Sequence, residues 1–363
     1  MRPHLKVVVL LGTAHAFVAF STRRARTSGR LATLADTLAE DDDRARAAAL
    51  AAIAGACARI ADQVRHAPID GLVGKAGTTN AQGEEQIPLD VAANAAMTDA
   101  LARSGAVAAL ASEEEPEPLA LPHAAAAPVA VAFDPLDGSS NVDCAIPTGT
   151  IFGVYRAAAD GDPAAAFAQP GDSLIAAGYA MYSASTELVL ATDALARPRG
   201  FTLDARARGG DAAASAAFVE TRRAIVCPRQ GPYYSLNEGR SGDWPEGLRR
   251  YVDDVKSGRG RAARRYSSRY VCSLVADVHR TLLYGGWAGN PRAHLRLLYE
   301  AAPLGFVAER AGGAASDGLR AIASIVPESP HVRLPVFIGS ADDIAEIESY
   351  GDVQQAGQFT YAA

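Results

Sequence analysis

The sequence predicts a layered α/β fold, and three observations carry that reading. Apolar runs of strand length alternate with amphipathic stretches of helix length along most of the chain, as they do when helices cover a sheet. Three of the buried runs end directly in acidic residues, the edge of an α/β sheet where ligands collect. With 363 residues, 49% hydrophobic and 21% charged, the chain has material for one large core or two ordinary ones.

The elements follow in order. Met1 to Ala16 joins Arg2 and Lys6 to the apolar stretch VVVLLG and Ala14-His15-Ala16, the three parts of a secretory signal. Phe17 then heads an acid-free stretch rich in Arg, Ser and Thr. Residues 1–30 thus resemble the two-part presequences of algae with secondary plastids, which implies a plastid destination; the alternative is a buried strand VVVLLG followed by a basic loop, in a cytoplasmic protein. Between Arg44 and His66, Leu50, Ile53, Cys57, Ile60 and Val64 recur at helical spacing behind the acidic LAEDDD. GKAGTTNAQGEEQ reads as a loop, DVAANAAMTDALARS as a helix and AVAALA as a buried strand running into Ser112-Glu113-Glu114-Glu115. After the Pro/Ala-rich linker PEPLALPHAAAAP, the strand VAVAF runs into Asp134-Pro135-Leu136-Asp137-Gly138-Ser139-Ser140-Asn141. TIFGVY, IAAGYAMY and TELVLA read as strands, with a polar loop from Arg156 to Asp172. The second half predicts a helix from Arg269 to Tyr284, a strand LRLLY ending at Glu300, a helix APLGFVAER stopped by Gly312-Gly313, a strand LPVFIGS and a helix ADDIAEIESY. There is no internal repeat.

Composition excludes several classes. A formal net charge of -6 without a sustained basic block argues against a nucleic-acid or membrane-surface partner. Cys57, Cys144, Cys227 and Cys272 form no CxxC pair, so reduced, buried thiols are expected. No run approaches the roughly 20 apolar residues of a membrane-spanning helix, and a soluble mature protein is expected.

The chemistry is concentrated in the acids. Clustered carboxylates repel one another and are tolerated around hard divalent cations, for which oxygen-only ligands favour magnesium or manganese. Asp134 and Asp137 flank a proline, so that two carboxylates and the Leu136 carbonyl can face one ion. Gly138-Ser139-Ser140 then offers backbone N–H groups and hydroxyls suited to phosphate.

DPLDGSSN, SEEE, GTIFGVY, AAGYAMY, YSLNEGR, RYVCSLVADVHRTLLYGG, LRLLYE, AGGAAS and VFIGS, in this order from roughly Arg44 to Tyr350, resemble the fructose-1,6-bisphosphatase family. The resemblance implies an α-β-α-β-α sugar-phosphatase fold of two stacked α/β domains, here residues 44–220 and 221–356, assembled as a homotetramer. It implies hydrolysis of the 1-phosphate of fructose 1,6-bisphosphate, in the Calvin cycle or gluconeogenesis, with two to three Mg2+ per subunit, Mn2+ being the alternative. Glu113, Asp134, Leu136 through its carbonyl, Asp137 and Glu300 look like the metal ligands. Asp90 and Glu114 look like the pair that positions and deprotonates the attacking water, and Glu84 like a residue that helps hold a further metal. Asp137, Gly138, Ser139, Ser140 and Arg296 match the cradle of the 1-phosphate. Asn237, Arg269 and Tyr270 match residues that hold the distal phosphate, with Arg269 reaching into a neighbouring subunit.

The chain also departs from the family. Arg240 stands where the NEGY pattern has Tyr, His294 stands where the family has a phosphate-binding Lys, the connection GGWAGNPRAH is short, and no Tyr precedes Pro291. Arg240 and Arg292 are candidates to replace the lost charge. Sedoheptulose 1,7-bisphosphate is therefore a competing substrate, and a catalytically weak sugar-phosphate-binding homologue a competing function. The AMP-binding turn is absent, and the loop after GTIFGVY has no cysteine, so neither AMP nor thioredoxin regulation is expected. Glu115 reads as solvated, His279 as a structural histidine, Tyr284 and Tyr299 as core; His66, His123 and His331 lie in no motif.

Overall fold

The computed structural model describes residues 26–27, 30–74, 86–122, 127–159, 161–206 and 211–355. Most of the expected presequence, together with Glu84 and His123, lies outside the described residues. A short antiparallel pair, β1 (Arg26–Thr27) and β2 (Arg30–Leu31), precedes three helices, α1 (Leu34–Ala39), α2 (Arg44–Asp70) and α3 (Pro88–Ser104). Then come β3 (Val107–Ser112), β4 (Leu119–Ala120), β5 (Val129–Asp137), β6 (Thr148–Arg156), β7 (Ala176–Tyr182), β8 (Thr186–Thr192), β9 (Arg199–Leu203), α4 (Asp211–Ala217) and β10 (Phe218–Arg222). The second half contains β11 (Tyr233–Ser235), α5 (Glu246–Ser257), β12 (Ser267–Ser268), α6 (Leu274–Tyr284), β13 (Trp287–Arg296), α7 (Ala302–Arg310), β14 (Gly313–Ser316), β15 (Arg333–Ser340) and α8 (Ala341–Ser349).

Two larger sheets organise these elements, one of eight strands in the order β10-β9-β8-β7-β6-β5-β3-β4 and one of five in the order β12-β11-β13-β15-β14. The two-residue period of strands sorts their side chains into layers. Val129, Val131 and Phe133 of β5 point to one side and pack against Ile53, Cys57, Ile60 of α2 and Met97, Leu101 of α3. Ala130 and Ala132, between them, face α6 and α7 through Val275, Val278, Leu304 and Val307, where they share a core with Val336 and Ile338 of the second sheet. Phe337, between those two, faces outward to Trp287 and to Leu248, Tyr251, Ile344 and Ile347 of α5 and α8. The result is five layers, α-β-α-β-α, as the resemblance implies.

Helix α2 shows how local signals set these boundaries. Asp43 caps its first turn by accepting from Arg46 N, and Gly71 stops it at φ 70°, a conformation that costs glycine little. By length and composition alone α2 could cross a membrane, but 56% of that window is buried in the protein. Its buried Ile53, Cys57 and Ile60 are 1% exposed or less, a burial that contributes about 1.5–3 kcal/mol for each large side chain.

Several expectations are corrected. LRLLY is not a strand: β13 ends at Arg296 and residues Leu297–Ala301 form a π-helical turn that feeds α7, so Glu300 projects from a wide helical turn. The helix expected from Arg269 begins at Leu274, because Cys272 takes a φ of 62° and Ser273 caps the helix through Ala276 N. The proline between Asp134 and Asp137 makes no turn but lies in a bulge of β5. Within the Pro/Ala-rich linker, Leu119 and Ala120 pair with β3. Of the four cysteines, Cys57 and Cys227 are buried, with thiols that burial pushes up to about 12 and about 11, but Cys144 and Cys272 are exposed. Tyr284 is 59% exposed instead of core, whereas Tyr299 is fully buried. Glu115 is half-buried and accepts from Asn94 Nδ2 at 2.8 Å. His279 is the buried histidine expected, 2.9 Å from the Tyr179 hydroxyl.

Candidate active site

The acids converge because of two backbone irregularities. In a regular strand, residues three apart point to opposite faces. Asp134 pairs with Ile151 and Asp137 with Gly149, so Pro135 and Leu136 together oppose Thr150 alone, and the extra residue restores Asp137 to the side of Asp134. The Thr150 hydroxyl donates to Pro135 O at 2.8 Å and fixes the bulge. From the other direction, the π turn delivers Glu300. Carboxylate oxygens of Asp134, Asp137 and Glu300 all lie within 4.8 Å of one another, and all three residues are buried.

Each acid is held in place. Asp134 accepts from Leu136 N at 2.9 Å, and Asp137 accepts from Val275 N at 2.9 Å and from the Ser273 hydroxyl at 3.3 Å, at the amino end of α6. Glu300 accepts from Arg296 N at 2.5 Å. Arg296, 6% exposed, places one guanidinium nitrogen 2.7 Å from Glu113 and another 3.9 Å from Glu300. Burial first, then the charge of Glu113, pushes the carboxyls of Asp134 and Asp137 above the usual range; Asp137 and Glu300 add to the shift at Asp134, and the hydrogen bond from Val275 opposes it at Asp137. Glu300 is also raised by burial and by Glu113, although Arg296 opposes the shift. A donor set of hard oxygens under strain of like charge fits a divalent cation.

Around the cluster runs a cleft of about 310 Å³. Among the residues expected from the sequence, Asp90, Glu113, Glu114, Asp134, Leu136, Asp137, Gly138, Ser139, Ser140, Asn237, Arg240, Tyr270, His294, Arg296 and Glu300 all line it. Arg269 does not: it is exposed, and its guanidinium lies over the Tyr233 ring at 5.4 Å. Asp90 has a structural task as well, since it accepts from Ile87 N at 2.9 Å at the start of α3. Burial and the nearby Glu113 push its carboxyl up to about 6 against hydrogen bonds from Ile87 and Ser139. Glu114 accepts from Gln86 Nε2 and, through its backbone, donates to the Ser112 hydroxyl. Gly138 takes a φ of 72° and opens a short 3-10 turn, Ser139–Cys144, directly after Asp137. A Cβ there would lie 3.3 Å from Asn141 Nδ2 and 3.4 Å from Ser273 Cβ, so the turn is tight as well as left-handed.

Arg292, a candidate from the sequence, also lines the cleft, whereas several lining residues have no assigned role in the sequence, among them Gln86, Ser273, Asp277 and Gln355. Ser273 carried a signal, a serine immediately before an apolar helical period. The other three are brought to the cleft by tertiary structure.

Acids at the edge of one sheet, a tight glycine turn and a buried arginine, set between two stacked α/β layers, define a phosphoryl-hydrolase class of fold and site. Comparison with known proteins makes this specific. Residues 34–209 match the family model described as the N-terminal domain of fructose-1-6-bisphosphatase, and residues 227–352 match its C-terminal domain; the chain belongs to the fructose-1,6-bisphosphatase family of phosphoric monoester hydrolases. It is 38% identical to the chloroplastic fructose-1,6-bisphosphatase of Triticum aestivum across 96% of this chain and 88% of that one. With the chloroplastic enzyme of Brassica napus it shares 42% identity across 83% and 76%. The holo crystal structure of Leishmania major fructose-1,6-bisphosphatase superimposes with a TM-score of 0.81 at 33% identity, over 89% of this chain and 99% of that one.

Proposed function

We propose that the chain hydrolyses the 1-phosphate of fructose 1,6-bisphosphate, releasing fructose 6-phosphate, with magnesium as its metal. The observation that carries this reading is the convergence of Asp134, Asp137 and Glu300 beside the Gly138 turn. In this reading these three, with Glu113 and the Leu136 carbonyl, hold two to three Mg2+, or Mn2+, and Glu84 contributes from outside the described residues. The bound metal supplies charge stabilisation at the phosphoryl oxygens and acidifies a water. The chain's own residues do the rest. Gly138, Ser139 and Ser140 hold the 1-phosphate through N–H and hydroxyl groups, and the guanidinium of Arg296 orients it. Glu114 and Asp90 align the attacking water and accept its proton as its oxygen bonds to phosphorus. The bond from phosphorus to the sugar oxygen breaks, and that oxygen takes a proton from solvent as it leaves, which balances the proton accepted by the carboxylates. Asn237, Tyr270, Arg240 and His294 hold the distal end of the sugar.

The same family supports a division into domains of residues 44–220 and 221–356, residence in a plastid, and a homotetramer in which the exposed Arg269 serves a neighbour's cleft. The chloroplastic relatives support the plastid assignment. Control by AMP or thioredoxin is proposed to be absent, so AMP should leave the rate unchanged. No observation favours sedoheptulose 1,7-bisphosphate or a weakly catalytic binding protein. Phosphorus NMR of the reaction of fructose 1,6-bisphosphate with Mg2+ tests the regiochemistry. Fructose 6-phosphate with inorganic phosphate supports the reading, and fructose 1-phosphate as the organic product overturns it.

A further inference from the structure

The candidate site takes its acids from two sheets. Glu113 and Glu114 lie on the turn that leaves β3 in the large sheet, and Glu300 lies on the π turn that follows β13 in the smaller one. A site of this kind works only if both turns are held within about 0.5 Å of one geometry. The π turn is well anchored. Leu297 N donates to Val332 O at 2.9 Å, Arg296 is paired with Arg333 across β13 and β15, and Tyr299, directly before Glu300, is fully buried.

The acidic turn is anchored at its start. Glu113 N donates to Phe133 O at 3.2 Å and Glu114 N to the Ser112 hydroxyl at 3.2 Å, while Asn94 of α3 accepts from that hydroxyl at 2.7 Å and donates to Glu115. Beyond Glu115 the chain turns outward, and Pro116 and Glu117 are exposed.

His331 ties the far end of this turn to the other sheet. It sits on the segment just before β15, with Nε2 3.2 Å from Pro116 O and Nδ1 2.8 Å from the Tyr299 hydroxyl. A carbonyl oxygen only accepts, so Nε2 carries the hydrogen; in the neutral ring Nδ1 then accepts, and Tyr299 donates to it. The hydrogen bonds thus run in one direction, from Tyr299 through the imidazole to Pro116. The two rings also meet edge to face, with centroids 5.9 Å apart, which holds the plane of the imidazole. The backbone beside His331 is bonded to the π turn through Val332, so the imidazole passes the position of one acid-bearing turn to the other. His331 is not among the residues that line the cleft and acts through those it touches.

We propose that His331, oriented by Tyr299, is a positioning residue for metal binding, which keeps the Glu113–Glu114 turn in register with Glu300. This rests on the phosphatase reading above and adds to it a histidine that lies in no sequence motif and touches neither the acid cluster nor the phosphate cradle.

The test measures Mg2+ affinity by calorimetry without substrate, and kcat and KM for fructose 1,6-bisphosphate at saturating Mg2+, in the purified full chain. Wild type is compared with His331→Phe, His331→Gln, Tyr299→Phe and the double Phe variant. His331→Phe keeps a ring against Tyr299 and removes both hydrogen bonds. It is expected to weaken Mg2+ binding by about 10-fold and to lower kcat, with KM for the sugar little changed. His331→Gln can place an amide N–H where Nε2 was and should recover most of the affinity. Tyr299→Phe should weaken binding too, but add nothing to His331→Phe, since the two side chains act as one unit. The dissociation constant is read from folded protein alone, so a variant that folds poorly still reports. An active wild type whose Mg2+ affinity survives in His331→Phe, or is no better in His331→Gln than in His331→Phe, overturns the positioning role and leaves the phosphatase reading intact. A wild type that neither binds Mg2+ nor releases phosphate overturns both.

Discussion

Replacing Asp134 with Asn should stabilise the metal-free protein while removing its response to magnesium. Asp134 is 2% exposed, and its carboxylate lies within 4.8 Å of those of Asp137 and Glu300. Two unit charges at 4.8 Å and an effective dielectric of about 20 repel by roughly 3.5 kcal/mol. Arg296 offsets part of this, and proton uptake caps it, because burial and neighbouring charge push all three carboxyls above the usual range. Neutralising one member is therefore worth about 1–3 kcal/mol, or roughly 1–4 °C in melting temperature for a chain of this size. The Asn amide oxygen can still accept from Leu136 N, as Asp134 Oδ1 does at 2.9 Å, so the bulge is kept. Melting curves in EDTA and in excess Mg2+ check this. The variant should melt above wild type in EDTA, and magnesium should raise wild type past it, since a ligand of the native state stabilises by mass action. A variant that melts lower under both conditions, or a wild type indifferent to magnesium, refutes the reasoning.

Other expectations follow from the same geometry. Glu114→Gln and Asp90→Asn should each lower kcat by about 100- to 10,000-fold if these carboxylates handle the proton of the attacking water, measured as phosphate release at saturating substrate. The loss should be accompanied by some destabilisation for Asp90, which also caps α3, and none of comparable size for Glu114. His279 is held neutral, its pKa pushed down to about 4 by burial. Its folded pKa lies below the unfolded value of about 6.5, so its contribution is full above 6.5 and is lost as pH falls through 4, up to about 3 kcal/mol. Urea midpoints of wild type and His279→Gln at pH 7.5 and 4.5 should therefore converge at the lower pH, and a pH-independent gap would count against it. At Gly149 an added Cβ would lie 2.7 Å from Ala180 O and 2.7 Å from Val275 Cγ2, and Val275 N is a donor to Asp137. Gly149→Ala should cost about 1–3 kcal/mol by overpacking and also weaken magnesium binding, read by urea titration and by calorimetry.

What could be read from the sequence was what is contiguous in it. Asp134, Asp137 and Gly138 sit within five residues, and each type has a separate chemical task. Strands β3, β5, β6, β7 and β8 of the large sheet were visible as apolar runs, and alternation along β5 sorts valine and phenylalanine from alanine, whereas the short edge strands β4, β9 and β10 were not. Helix α5 is equally periodic, with Leu248, Tyr251, Val252 and Val255 buried, but its interspersed charges mask that period in the sequence. α1 is too short for a period to register, although its Thr33–Asp36 capping box marks it. The π turn at Glu300 has no propensity signature, since packing against the large sheet decides it. Arg292 was only a candidate in sequence because its burial depends on a bulge and on the Gln355 segment, more than 60 residues away.

The central claim is tested most directly by phosphate release from fructose 1,6-bisphosphate by the purified full chain, measured with Mg2+, with EDTA, and with Asp134→Asn in Mg2+. The account predicts steady release with magnesium, loss of it on chelation and recovery when magnesium is returned, and a variant reduced at least about 100-fold. Release that persists undiminished in EDTA, or in the variant, would contradict a reaction built on the acid cluster.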